Sequence, residues 1–285
     1  MKYCVQYSNK SYITEKVDEI IIKYDKNKIL DLFDRYIPEH QDKQRVIVDI
    51  WDDSDELKTL ETIIQIHKER PQLKFDLRVN NYDEKFIEKL KSIDIPYFYR
   101  DLARNWDIFL GLLKLGVSDI YIVEEMGFEL DKISKIAKSQ NTKIRIYPNI
   151  AQSAFKSTED IYKFFVRPED IDVYEKYVDV YEILTNDKSK EKVFFDVYKN
   201  DKKWFGNLNE LLLDFNIDLD SKYIIPRFAE KRVRCGRQCL KGGKCQLCSR
   251  VIDLSKNLEK ANLIVTIDRK EKEEEEKYNG KRTEE

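Results

Sequence analysis

From residue 19 onward, short apolar runs alternate with amphipathic stretches. Eight runs read as strands: EIIIKY (19–24), RVIVDIW (45–51), KFDLRVN (74–80), IPYFYR (95–100), DIYIVEE (119–125), KIRIYPN (143–149), KFFVRP (163–168) and VDVYEIL (178–184). They are rich in Ile, Val, Phe and Tyr, side chains that pack well on a pleated surface. Between them NKILDLFDRYI, SDELKTLETIIQIHKER, DEKFIEKLKSI, NWDIFLGLLKLG and ELDKISKIAKS repeat apolar residues at helical spacing. In the second of these Leu57, Leu60, Ile63, Ile64 and His67 share one face, and Ser54 stands ahead of it as an N-cap. The seventh strand overlaps STEDIYKFF, which reads equally well as one helix. Strands alternating with helices form βαβ units around a parallel sheet. Eight of them close a (β/α)8, TIM-barrel-like α/β fold. An open doubly wound sheet is the alternative, but eight glycines are few for its Gly-rich turns.

After residue 185 the rhythm changes. Residues 186–220 read as largely helical, YIIPRFAEK as a strand-like lead, and SRVIDLSKNLEKANLIV as a segment that packs back on the body. The expected organisation is a barrel over 1–220, a cysteine module over 221–265 and a charged tail over 266–285. At 285 residues and 41% apolar content, one large domain with an appendage fits. The net charge of −2 means that any attraction to nucleic acid must come from a local patch. No run of about eighteen apolar residues occurs, so no membrane span is expected. The opening MKYCVQYSNKSY lacks the apolar segment of a secretory signal, and a cytoplasmic, reducing compartment is the expectation.

In such a compartment clustered cysteines are metal ligands more often than disulfides. Four of the five cysteines fall in Cys235-x3-Cys239-x5-Cys245-x2-Cys248. The x2 pair is a knuckle spacing, the x3 pair fits one helical turn, and Gly242 and Gly243 permit the reversal between them. The expected cofactor is zinc, with a 4Fe–4S cluster as the alternative. Cys4 stands apart and reads as a small buried residue. Around the four cysteines lie seven bases and no acid: Lys231, Arg232, Arg234, Arg237, Lys241, Lys244 and Arg250. Four thiolates on zinc carry about −2, which leaves this stretch cationic. It is a candidate contact for nucleic acid or another polyanion, for stabilising the thiolates themselves, or for docking on an acidic surface. No aromatic residue interrupts it, so base stacking inside the loop is not expected.

A barrel of this kind does its chemistry at the C-terminal ends of its strands. Among the polar residues there, Arg78, Asn80, Arg100, Glu124 and Asn149 are the candidate catalytic set. Arginines would suit an anionic substrate, and a desolvated Glu124 would suit proton transfer. His40 and His67 are the only histidines, which argues against a Ser–His–Asp triad. There is no P-loop, no G-x-G-x-x-G and no H-E-x-x-H.

The stretch GVSDIYIVEEMGFELDKISKIAKSQNTKIRIYPNIAQS (116–153), with RPEDIDVYEKYVDVYEI after it, resembles the U32 peptidase-like family. The resemblance implies a barrel and, as in some members of that family, a cysteine-bound iron–sulfur cluster, with oxygen-independent hydroxylation of RNA or quinone precursors as in several of them. That family spreads its cluster cysteines along the chain, whereas here all four sit in one loop. The sequence thus predicts a metal-binding barrel enzyme acting on an anionic or nucleic-acid substrate. The alternatives are a non-catalytic nucleic-acid- or protein-binding adaptor with structural zinc, and an iron–sulfur U32-like hydroxylase or hydrolase.

Overall fold

The computed structural model describes residues 2–6, 17–50, 55–100, 102–148, 150–155, 165–184, 188–199, 204, 208–211, 213–215, 220–224, 227–236 and 246–256. Its centre is a parallel sheet curled into a nearly closed barrel. The strands are β1 (Lys2–Gln6), β2 (Glu19–Lys23), β3 (Arg45–Asp49), β4 (Asp76–Val79), β5 (Tyr97–Tyr99), β6 (Leu102–Ala103), β7 (Asp119–Ile122), β8 (Lys143–Ile146) and β10 (Val180–Glu182). Their order is β5-β4-β3-β2-β1-β10-β8-β7-β6. The two ends of that order, β5 and β6, are consecutive in the chain, with only residues 100 and 101 between them. One extended segment therefore pairs first with β4 and then with β7. The Ser118 N–H bonds to the Tyr97 carbonyl at 3.0 Å and spans the remaining gap. Eight strand positions make the ring.

Seven of the eight expected strands occupy it. The eighth position belongs to KYCVQ, which is β1, and not to KFFVRP. β1 lies between β2 and β10 with Tyr3, Cys4 and Val5 all buried. A strand covered on both faces shows no alternation to read. In the rejected segment, residues 165–167 are irregular and Pro168–Asp170 is a 3-10 turn. Pro168 there can donate no ladder hydrogen bond, and Phe165 is buried as a packing residue instead.

The helices follow the amphipathic stretches. Glu56–Glu69 buries Leu60, Ile63 and Ile64, and its cap is the Asp55 carboxylate, which accepts from Lys58 N at 3.1 Å. The predicted cap, Ser54, lies outside the described residues. Glu84–Lys91 is capped by Asp83, and Trp106–Leu115 by Asn105. The latter ends at Gly116, whose φ of 75° is open to glycine at little cost. Leu130–Ser139 completes the set around β7 and β8.

Two later expectations change. Leu213–Phe215 (β11), read as helix, pairs in parallel with β9 (Ile150–Phe155) outside the barrel. YIIPRFAEK, read as strand-like, forms a 3-10 turn at Ser221–Tyr223 and a helix at Phe228–Arg232. A helix also covers Leu247–Lys256. Among the described residues no helix is long and apolar enough to cross a membrane.

Candidate active site

The lumen of a barrel like this is ordinarily filled by branched aliphatic side chains. Here it is ionic. Residues an even number apart on a strand share a face, and Arg45 with Asp49, Asp76 with Arg78, Asp119 with Tyr121, and Arg145 with Tyr147 obey that spacing. Three of their contacts, Arg45 to Asp119, Arg145 to Glu19 and Arg78 to Glu182, run between strands three or four positions apart in the ring, which places them across the interior.

The layer nearer the strand starts joins five charged residues. Arg45 bonds both oxygens of Asp119, at 2.9 and 2.7 Å, and Asp76 at 2.7 Å through Nε. Arg45 also reaches Glu19 at 3.3 Å. Arg145 donates from Nε to Asp119 at 2.8 Å and pairs with Glu19 through Nη2. Arg145, Glu19 and Asp119 have side chains with no exposed surface. Burial pushes the Asp119 carboxyl up, but Arg145 and Arg45 outweigh it and hold the group well below the usual carboxylate range. At Asp76 burial wins over Arg45, and its carboxyl is raised. Phe98 lies against both guanidinium groups, at 4.8 Å from Arg145 and 5.7 Å from Arg45.

The layer at the C-terminal ends is the candidate site. Arg78 donates through Nη1 to Glu182 at 3.0 Å and to the Tyr121 hydroxyl at 3.3 Å, and through Nη2 to Asp49. The Tyr121 hydroxyl donates to the other oxygen of Glu182. Tyr147 stacks on Tyr121 with ring centroids 4.9 Å apart. Burial, then the Glu182 charge, raises the Tyr121 phenol, so it remains a neutral donor through the ordinary pH range. Burial would lower the Arg78 guanidinium, but Glu182, Tyr121 and Asp49 more than reverse that. Four strands thus contribute one proton-holding network, with Glu182 accepting from both a cation and a phenol. Such a network can hold and pass a proton at Tyr121 Oη. Among the described residues the Arg78 Nε, a buried donor, has no hydrogen-bond partner.

Around this floor Asn80 and Arg100 are half-buried. Tyr82, 42% exposed, lies face to face on Tyr99 with centroids 4.2 Å apart. Arg100 acts electrostatically on the Tyr147 phenol. Of the predicted catalytic set, then, Arg78 is central and Asn80 and Arg100 flank it. Glu124 begins the 3-10 segment Glu124–Glu129 after β7, but its side chain lies outside the described residues, as does Asn149. Arg78 is committed to carboxylates, so it is not an open anion receptor. Arg167, which precedes the 3-10 turn Pro168–Asp170, is likewise bound to Asp170, Glu169 and Ser221. Asp49, Glu182, Tyr121 and the whole lower layer are missing from the predicted set. Their signal was available: charges alternating with aliphatics in KFDLRVN and KIRIYPN, strands that a parallel sheet should keep apolar.

The cysteine segment begins at the same end of the barrel. The Gly236 N–H bonds to the Phe128 carbonyl at 2.9 Å, in the segment that leaves β7. Cys235 is half-buried and Cys248 is buried. Cys239, Cys245, Arg237, Lys241 and Lys244 lie outside the described residues. Among the described residues no three His, Cys, Asp or Glu side chains form a metal-binding group. Lys231, Arg234 and Arg250 are exposed, and Arg234 bonds the Tyr177 hydroxyl at 3.2 Å. Arg232 differs from them: it is 1% exposed, and burial lowers its guanidinium. It is therefore not placed to touch a nucleic acid from the surface. Neither a protein-family model nor a curated protein matches this sequence, so the functional reading rests on the residues.

Proposed function

We propose that this protein is a barrel enzyme with its reaction centre at the Asp49–Arg78–Glu182–Tyr121 network, and that Cys235, Cys239, Cys245 and Cys248 bind a metal at the same face. The observation that carries the reading is the anchoring of the cysteine segment at Phe128, just beyond the C-terminal end of β7. A purely structural knuckle has no reason to sit at the end where such barrels keep their chemistry. Burying two carboxylates around one arginine is costly, and sites of this kind concentrate where protons are handled.

The substrate class is an anion or a nucleic-acid end. Arg100 at the rim and the exposed Lys231, Arg234 and Arg250 would supply the positive charge. The stacked Tyr82 and Tyr99 would supply an aromatic platform beside it. Tyr121 would hold the transferable proton, and Glu182 would orient it. A bound zinc would act as a structural or Lewis-acid centre, and a 4Fe–4S cluster as an electron carrier. Iron in the loop would favour a U32-like hydroxylase, whereas zinc favours a hydrolytic enzyme or an adaptor.

The test is fluorescence anisotropy with single-stranded RNA and DNA oligomers on anaerobically purified protein, at increasing salt. Binding should weaken as salt rises and should fall in Arg100→Ala. Equal retention by Arg100→Ala would remove the barrel mouth from substrate binding. Absence of binding at low salt would remove nucleic acid altogether.

A further inference from the structure

We propose that the outer face of the helix Trp106–Leu115 is a self-association surface, on which a second copy of this chain docks the same helix in antiparallel register. The inference is independent of the reading of the barrel mouth and of the cysteine segment.

Of the ten residues in this helix, Asp107 and Lys114 alone are charged. By contrast, Glu84–Lys91 carries Glu84, Lys85, Glu88, Lys89 and Lys91 in a shorter span. Phe109 and Leu112 are buried against the core. With a turn of about 100° per residue, the opposite side presents Asp107, Leu110, Gly111 and Lys114. All four are exposed, Leu110 at 42%. Ile108, 38% exposed, and the half-buried Leu115 border one side of this face, and the half-buried Trp106 and Leu113 border the other. Single apolar residues scattered over a surface are ordinary, whereas a helix face with charge only at its two ends marks an interaction surface.

Two features select a second copy as the occupant. The first is charge. Asp107 and Lys114 lie two turns apart on the midline of the face, about 10.5 Å along the axis. A two-fold axis between Leu110 and Gly111 sets the helices antiparallel and brings each Asp107 opposite Lys114 of the other copy. The face is therefore complementary to itself. The second is Gly111. Glycine inside a helix is less favourable than alanine, and no positive φ calls for it here. An added Cβ would meet nothing within 4 Å, so the chain's own packing does not demand glycine. The same axis places Leu110 of one copy over Gly111 of the other, and the open space receives the leucine as a knob enters a hole. A stable interface usually takes about 800 Å² from each partner, and a single helix about 15 Å long falls short of that. The dimer should thus be weak and concentration-dependent. Antiparallel pairing also turns the two barrel mouths to opposite sides.

The experiment is sedimentation velocity on the full chain, from low micromolar to several hundred micromolar protein. It compares wild type, Gly111→Leu, Asp107→Lys, Lys114→Asp and the double variant Asp107→Lys with Lys114→Asp, each checked for folding by circular dichroism. Wild type should rise from the monomer mass of 34.2 kDa toward twice that value. Gly111→Leu fills the hole and should raise the dissociation constant by about tenfold or more. Its fold should be undisturbed, because the position is exposed and open. Each single reversal sets like charges opposite one another at both ends and should weaken the dimer. The double variant re-forms both pairs with the signs exchanged and should recover it. Wild type that stays monomeric throughout overturns the proposal and leaves the face to a different partner. A dimer unmoved by Gly111→Leu and by both single reversals overturns it as well, by placing the interface elsewhere. A folded double variant as weak as the single ones overturns the antiparallel register.

Discussion

Arg78 is the residue whose loss should be felt most. Removing it strands Asp49 and Glu182 in the lumen, both nearly inaccessible to solvent. Breaking a buried ion pair from one side typically costs about 3–5 kcal/mol. Arg78→Met should therefore lower the free energy of unfolding in urea by that order. A change under about 1 kcal/mol, the scale of an exposed ion pair, would show that the two carboxylates find water or protons instead. Asp119 gives a pH signature. Its folded-state carboxyl is held below its unfolded value, so its contribution is complete above about pH 4 and is lost as pH falls further. Asp76 is shifted the other way, and its contribution weakens as pH rises through the raised value. Asp119→Asn should be less stable than wild type at pH 7, and the difference should shrink on acidification. Urea midpoints measured from pH 7 to pH 3 test this. A constant difference would mean that Asp119 titrates normally in the folded chain.

At the scale of elements, Gly116 and β1 are the informative cases. Gly116 ends the helix Trp106–Leu115 at φ 75°, and an added Cβ there would meet nothing within 4 Å. The cost of Gly116→Ala is thus conformational alone, about 1–2 kcal/mol. A neutral substitution would show that the helix end relaxes. Tyr3 ties β1 to the helix Lys188–Lys199, since its hydroxyl bonds the Tyr198 carbonyl at 2.8 Å and its ring meets Phe195 edge-on. β1 also carries Cys4, whose thiol burial keeps protonated. Most helices were legible because their amphipathic period survives packing on the barrel. β1 was not, because burial on both faces erases the pattern that marks a strand. KFFVRP failed for the opposite reason: its β-favouring residues look like a strand, but Phe165 and Val166 are buried as packing residues in an irregular segment.

At the scale of the whole molecule, Gly236, next to Cys235 in the cysteine segment, is held to Phe128 beyond the C-terminal end of β7. If the segment binds metal, a chelator should lower the thermal unfolding temperature of wild type and leave Cys248→Ser unchanged, because a ligand that binds only the folded state stabilises it. Equal effects on both proteins would point to nonspecific action of the chelator. The exposed Lys231, Arg234 and Arg250 predict retention on heparin that weakens with salt. Reversing Lys231 and Arg250 to Glu should elute the protein at lower salt, whereas Arg232, which is buried, should not contribute. No shift in elution would remove this basic surface from polyanion binding.

The amino-acid sequence by itself determined the parallel α/β rhythm, most of the helices, and the clustering of four cysteines amid bases. These are local properties: periodicity, propensity and spacing act over a few residues. Closure of the barrel by β1, the two ionic layers in its lumen and the separation of Arg232 from its exposed neighbours were decided only by the tertiary structure. Each depends on which residues meet across the ring or beneath a helix. Arg78 meets Glu182 from strands 104 residues apart in sequence, a distance over which no local pattern carries information.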